Sequence, residues 1–499
     1  MEMRREKAAD YLQKVGDMDF KGCWYTIKST HDSMRIALSS VIGGLLLGFN
    51  TGVISSALPY IKNNSRHVTE DHWLQAFLVG AAAAGAFVSL TIVGRVNDRL
   101  GPKTSLLFAD FLSIIGIIVS VFAMSPVALV IGRIFVGLAV GMTFVTLPLY
   151  VSEAFSSRYL GVLFCTNSLL ITVGQFFSNF ISLVYTEKTH PWRWMVGFAI
   201  YPTFIHLCLL QSLYECPKWY YQKGEKYLAY MVTQHTYYTF EEAKEAFLVM
   251  DLSIDAEKAV GGSLLEGNVF TKIRKAPSNI LRRLLFKHIA LQAAQQLAGI
   301  NVVINFGPTI IQMAGTTLTR TALMLSLVPS GLNVVASIIS ISFVDRYRRK
   351  RMITSLFGTF ICLLLLSGVL HSASVKASCG VKNVTRNGCP AADGLLDTNW
   401  YLVGDGYLIG DGQSAAILLG AYVIFYSIGL GTIPLIRRSK MRPLEHRDIR
   451  IGVTSALDWL WNFILSLLFL FFVDLLGSAG TFMLFAGFSL ISLVLVVCT

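Results

Sequence analysis

The chain has 499 residues, 54% of them hydrophobic and only 14% charged, and a formal net charge of +12. Soluble domains carry charge on about 25% of their residues. The composition therefore excludes a soluble globular fold and marks a polytopic membrane protein. The surplus of Lys and Arg falls in the connections between apolar segments, which fits loop topology and not a nucleic-acid surface.

The N-terminal tail, residues 1–35, opens with MEMRREKAAD and has neither the apolar core nor the cleavage site of a signal peptide. Apolar segments long enough to span a bilayer follow near Ile36–Ala57, Trp73–Gly94, Thr104–Met124, Pro126–Pro148, Gly161–Val184 and Arg193–Leu213. They form a first six-span unit, residues 36–213. A linker rich in charged residues, 214–285, contains FEEAKEAF at Phe240–Phe247, which reads as a short amphipathic helix. A second unit, 286–499, repeats the count with Phe286–Met313, Arg320–Val344, Met352–His371, Gln413–Ile436, Gly452–Val473 and Ser478–Cys498. Its polar loop at 372–412 precedes the tenth span.

The loops set the orientation. Arg95, Arg99 and Lys103 follow the second span, and Arg346, Arg348, Arg349, Lys350 and Arg351 follow the eighth. Arg437, Arg438, Lys440, Arg442, Arg447 and Arg450 follow the tenth. By the positive-inside rule both termini and the linker are expected in the cytosol, in a plasma or vacuolar membrane. Asn63 and Asn383, each opening an Asn-x-Ser/Thr triplet, then face outward as candidate glycosylation sites. Of eight cysteines, Cys165, Cys208, Cys362 and Cys498 sit in apolar runs as small hydrophobes. Cys379 and Cys389 share the outer loop and are candidates for a disulfide. No metal-ligand spacing, phosphate loop or nucleophile–base pair is found, so no cofactor, no metal and no enzymatic activity are expected.

The seventh span, LQAAQQLAGINVVINFGPTI at Leu291–Ile310, holds Gln292, Gln295, Gln296, Asn301 and Asn305 in an otherwise apolar run. Amides in hydrocarbon need partners. On an unbroken helix Asn301 points about 140° away from Gln296, so one ligand meets both only if the helix unwinds between them. Gly299 and Pro308 supply the means. Such a break would suit a neutral, hydroxyl-rich solute, because amides both donate and accept. The competing reading is a polar seam that joins helices.

The loop GRVNDRLGPK at Gly94–Lys103 returns in the second half as VDRYRRK at Val344–Lys350, with Asp98 matching Asp345 and Arg99 matching Arg346. Further motifs are GFNTGVISSAL at Gly48–Leu58, GRIFVGLAVG at Gly132–Gly141, PLYVSEAFSSRYLG at Pro148–Gly161, ECPKW at Glu215–Trp219 and QQLAGIN at Gln295–Asn301. In this order they resemble the sugar porter family of the major facilitator superfamily, over nearly the whole chain. The runs TNSLLITVGQFFSN, PWRWMVG and RTALMLSLVPSGLN are most similar to plant-type inositol transporters.

The resemblance implies an all-α membrane protein with twelve transmembrane helices in two pseudo-symmetric six-helix bundles. It implies a monomer in the bilayer that carries a small polyol or sugar by alternating access. Gln175, Gln295, Gln296, Asn301, Asn333, Trp459 and Asn462 would surround the substrate, amides on its hydroxyls and the indole on its C–H face. In proton-coupled relatives Arg133 partners an acid of the first span. Here that position is Asn50, which cannot titrate, so proton coupling would be absent or lie elsewhere. Arg95, Asp98, Arg99, Glu153, Asp345 and Arg346 would form the cytosolic gate. Lys440 stands where the family has Glu and would repel the arginines facing it, biasing the carrier inward-open. Other departures are Leu435 for Trp, Asp458 for Asn, Asn305 for Tyr, Arg348 for Gly, and Ser156 and Leu160 for Pro and Arg. The expected function is transport of myo-inositol or a related polyol. A hexose facilitator and a non-transporting sugar sensor are the alternatives.

Overall fold

A computed structural model describes residues 31–64, 68–69, 71–154, 160–237, 240–259, 289, 291–316, 318–342, 348–386, 409–431 and 447–498. Ten of its helices are long and apolar enough to cross a membrane. The last of these, within Arg447–Cys498, bends at Gly477 into two spans. The seventh span is too interrupted to count as one helix, and with it the crossings number twelve. The two-bundle, all-helical architecture is thus the expected one.

In the first half the spans are His31–Asn64, His72–Leu100, Pro102–Val121, Pro126–Ala154 and Leu160–Val184. The sixth is the pair Pro191–Gly197 and Ile200–Gln211. Local chemistry fixes several ends. Asp71 caps the second span by accepting from the backbone N–H of Trp73 at 3.0 Å and of Leu74 at 3.2 Å. Pro102 opens the third span, where a missing N–H costs nothing.

Linker helices follow at Pro217–Gln222, Lys226–Thr236 and Phe240–Ala259. The expected short helix at Phe240–Phe247 therefore exists and runs further. Tyr221, Ala229 and Ile254 form its small core, and the Tyr221 hydroxyl donates to Asp251. That hydrogen bond holds the phenol above its usual range.

The second half contains the seventh span, then Thr319–Ser342, Arg348–Arg386, Ile409–Tyr426 and the two arms of Arg447–Cys498. The tenth span ends in a π-helical turn, Ser427–Gly431. One boundary needs correcting. The ninth helix was expected to end at His371, yet it continues to Arg386 and takes in the first part of the polar loop. The segment after His371 has no proline to stop it, so polar residues extend the helix beyond its apolar length. Cys379 and Asn383 lie on this extension, with side chains outside the described set; Cys389 lies outside the described residues altogether.

The halves meet along matching pairs. Span two packs on span eleven, span five on span eight, and span one on span seven. Exchanging the halves turns the first of these contacts into the second, as internal symmetry requires. Ring contacts mark the seam between spans two and eleven: Trp73 lies 5.8 Å from Phe471, and Phe77 lies 6.5 Å from Phe463.

Candidate functional site

The site begins at a break. Residues 291–297 are helical, Gly299 takes φ 85° and ψ 15°, and a new helix runs Ile300–Met313. That left-handed conformation is costly for any residue with a Cβ. Phe306, at φ −119°, and Pro308 loosen the second segment further. A break frees backbone carbonyls, and the deeply buried Tyr422 of span ten takes one of them, its hydroxyl donating to Ala298 O at 2.7 Å.

The break turns the amides toward one another. Asn301 Nδ2 donates to Gln296 Oε1 at 2.5 Å, which a straight helix forbids. Gln296 Nε2 donates to Asp458 Oδ1 at 3.3 Å. Gln292 Nε2 donates to the same carboxylate oxygen and also to Gln295 Oε1, the latter at 3.2 Å. Gln295 shares a hydrogen bond with Tyr426 on span ten. Further along, Asn305 Nδ2 donates to Asn462 Oδ1 at 3.2 Å and to Ser466 Oγ at 3.4 Å. A chain of amides, closed on the Asp458 carboxylate, thus ties the broken span to span eleven. Trp459, next to Asp458, makes a T-shaped contact with Phe144 of the first half, ring centroids 5.8 Å apart at 89°.

Beside this chain lies a cavity of about 30 Å³ between the halves. Gly52, Ser55, Gln175 and Asn179 line it from one half, and Ser330, Asn333, Gly307 and Pro308 from the other. Asn179 bridges the seam: its Oδ1 accepts from Ser56 Oγ and its Nδ2 donates to Ser330 Oγ, both at 2.7 Å. Asn333 Oδ1 accepts from Ser427 Oγ at 2.8 Å. A water needs roughly 10–15 Å³, so the cavity holds a water or two and no six-membered ring.

The structure places the expected residues in two groups, and Gln295, Gln296, Asn301, Trp459 and Asn462 do not line the cavity. Gln175 and Asn333 face the cavity, while Gln295, Gln296 and Asn301 bond within the amide chain. Asn179 was not singled out from sequence. It stands four residues after Gln175, which puts both on one helix face.

Arg133 is 2% exposed, and its guanidinium donates to the backbone carbonyl of Asn50 at 3.2 Å. Among the described residues no carboxylate lies in ion-pair reach of it. Its Nε is buried with no hydrogen-bond partner. A second buried cluster lies in the first half. His206 Nδ1 sits 2.8 Å from Asp110 Oδ2, and His206 Nε2 sits 3.2 Å from Ser39 Oγ.

At the end of the spans that carries the basic loops, Arg95, Asp98 and Arg99 are exposed and Glu153 is half-buried. Glu215 organises this end. Its carboxylate accepts from the backbone N–H of Lys103 at 2.7 Å and of Thr104 at 3.2 Å, capping the third span. Gly101, at φ 93°, lets the chain pass: a Cβ there would meet the Glu215 carboxyl carbon at 2.6 Å. Trp219 Nε1 donates to Asp98 O at 3.3 Å. The ECPKW motif thus clamps the repeated loop. Beside it, burial pushes the Cys216 thiol well above its usual range, and the neighbouring Glu153 and Glu215 carboxylates add to the effect. Asp345, Arg346 and Lys440 lie outside the described residues.

At the opposite end a histidine–carboxylate contact and an ion pair cross between the halves. His72 Nδ1 lies 2.6 Å from Asp474 Oδ1, and Arg320 Nη1 lies 2.5 Å from Glu187 Oε1. Asn63 is exposed near this end, on the last turn of the first helix.

The sequence matches the family model for sugar (and other) transporters over residues 36–389 and 398–499. Inositol transporter 4 of Arabidopsis thaliana is 38% identical, over 97% of this chain and 92% of its own length. Probable inositol transporter 2 of the same plant is 36% identical, over 96% and 90%. In fold, the chain resembles the partially occluded inward-open form of the xylose transporter XylE from E. coli. The TM-score is 0.71 at 20% identity, covering 92% of this chain and 96% of that one. With twelve crossings, paired halves and a family match over nearly its full length, the chain belongs to the sugar transporter family of multi-pass membrane proteins.

Proposed function

We propose that the protein carries myo-inositol, or a closely related cyclic polyol, across a membrane by alternating access. The observation that carries this reading is the break at Gly299, which brings Asn301 to Gln296 and joins both to span eleven. Such a set of amides can donate to and accept from several hydroxyls at once. The names of the plant relatives favour a polyol over a hexose.

The cavity is one station of the cycle. Its walls come from both halves, so rocking them apart would open it to one side. The His72–Asp474 contact and the Arg320–Glu187 ion pair would hold one end of that seam shut. The positive-inside rule favours the cytosol for the other end, with its basic loops, so the seam would open inward from this state. Glu153, Arg95, Asp98, Arg99, Asp345, Arg346 and Lys440 would govern that inner side. Proton coupling through the first span has no titrating group at Asn50, and Arg133 rests on a backbone carbonyl there.

The reading is tested by uptake of labelled myo-inositol into cells deficient in inositol transport, with unlabelled glucose as competitor. Uptake suppressed by inositol and little affected by glucose is expected. Uptake suppressed equally by glucose would make the protein a hexose carrier, and binding without uptake would make it a sensor.

A further inference from the structure

Asp458 is a carboxylate among the amides that join spans seven and eleven. It accepts from Gln292 Nε2 and Gln296 Nε2 across the gap between spans seven and eleven. An ionised carboxylate can only accept, so both glutamines must turn their NH₂ groups toward it. The carbonyl of Gln296 then faces the other way, where Asn301 Nδ2 donates to it. The carbonyl of Gln295 likewise takes the second N–H of Gln292. Gln292 and Gln296 each turn an N–H to Asp458, and this fixes which way the Gln296 carbonyl faces Asn301.

Protonation changes the inventory at that point. A neutral carboxyl has an O–H to donate and one fewer acceptor position. To receive it, a glutamine must turn its carbonyl toward Asp458. When Gln296 does so, its NH₂ faces the NH₂ of Asn301, donor against donor, and the bond between them is lost. Asn301 is then free to donate to a ligand hydroxyl.

We propose that Asp458 is the proton-binding group of this carrier. It is a positioning residue that sets which way the amides of the broken helix face, and its protonation releases Asn301 to a polyol. The proton enters from water on the side to which the site is open and leaves with the polyol on the other. By linkage, a bound polyol raises the proton affinity of Asp458 by the same factor that the proton raises polyol affinity. The inference rests on the polyol-carrier reading above. It assigns to span eleven a task that Asn50 in span one cannot perform.

Other ionisable groups border this region. Tyr426 on span ten is within electrostatic reach of Asp458. On span two, His72 pairs with Asp474 and Arg95, Asp98 and Arg99 are exposed at the far end. On span four, Arg133 turns to Asn50 and Glu153 adjoins Cys216. On span nine, Lys350 and Arg351 lie in the first turn, and Cys362 and His371 lie further along. Residues 291–297 and the helix Ile300–Met313 carry no titratable side chain.

The test uses the full chain reconstituted in lipid nanodiscs. Binding of tritiated myo-inositol is measured at acidic and at neutral pH for the wild type, Asp458→Asn, Asp458→Glu and Asn301→Ala. Wild-type affinity is expected to be at least fivefold tighter at acidic pH, the lower end of ordinary coupling. Asp458→Asn and Asn301→Ala should flatten this dependence, and Asp458→Glu should restore it with a shifted midpoint. A wild type without pH dependence, or an Asp458→Asn protein that keeps it, overturns the proposal. Infrared difference spectra between the two pH values give a readout that needs no ligand. A protonated-carboxyl band lost in Asp458→Asn and displaced in Asp458→Glu supports the proposal even if inositol is not the solute. Absence of that band in the wild type refutes it.

Discussion

His72 and Asp474 meet at 2.6 Å although 402 residues separate them, and together with Arg320–Glu187 they tie the two halves at one end of the molecule. All four side chains are at least a third exposed, so each pair contributes only about 0.2–1 kcal/mol. That is still enough to bias a rocking equilibrium. Replacing Glu187 and Asp474 together by Ala removes both pairs and should move the population toward the form open at this end by roughly two- to thirtyfold. Labelling of a cysteine placed at Ser330 by an impermeant reagent added on that side reads the shift. An unchanged rate would show that the pairs hold nothing shut.

The amide chain makes its own prediction. Asn301→Ala removes the donor to Gln296, and Gln175→Ala removes a cavity wall. Each should weaken polyol binding by about 0.5–1.5 kcal/mol, or roughly two- to thirteenfold, the ordinary range for a hydrogen bond to an uncharged group. Titration of labelled inositol binding checks both. Phe425→Ala, at a half-exposed position near span nine, should leave binding unchanged.

How much of this was legible beforehand follows from how local each feature is. The break at Gly299 was readable because a glycine, a following proline and flanking amides sit within a few residues of one another. The repeated acid–base loop was readable for the same reason. His72–Asp474, Arg320–Glu187 and the bridge from Ser56 through Asn179 to Ser330 join distant segments, and nothing in one segment announces the other. The Glu215 cap was hidden inside a recognised motif whose geometry appears only once the third span is placed. The overlong ninth helix escaped because hydropathy ends at His371 while helical hydrogen bonding does not.

Asp110 and His206 are essentially inaccessible, at 1% and 0% side-chain exposure. Removing one partner leaves the other buried and unsatisfied, so Asp110→Ala should cost about 1–3 kcal/mol. Asp110→Asn, which retains an acceptor for His206, should cost clearly less. Thermal unfolding in detergent, followed by the fluorescence of a thiol-reactive dye, distinguishes the two.

Cys216 offers a pH prediction. Its thiol is held well above the usual range in the folded chain, so the fold favours the protonated form. Above about pH 8.5, where a free thiol ionises, the unfolded state releases a proton that the folded state keeps. Stability contributed by this group is therefore full at neutral pH and falls as pH rises past that point. Cys216→Ala should remove this part of the alkaline loss, and native Cys216 should resist maleimide at neutral pH.

The central claim is that a broken seventh helix between two rocking halves recognises a polyol. Counterflow of labelled myo-inositol through liposomes containing only the purified chain tests it most directly. Exchange well above that of protein-free liposomes, reduced about tenfold or more by Gln296→Ala, is the predicted result. Exchange that Gln296→Ala and Asn301→Ala leave untouched, or none at all from correctly folded protein, would contradict it.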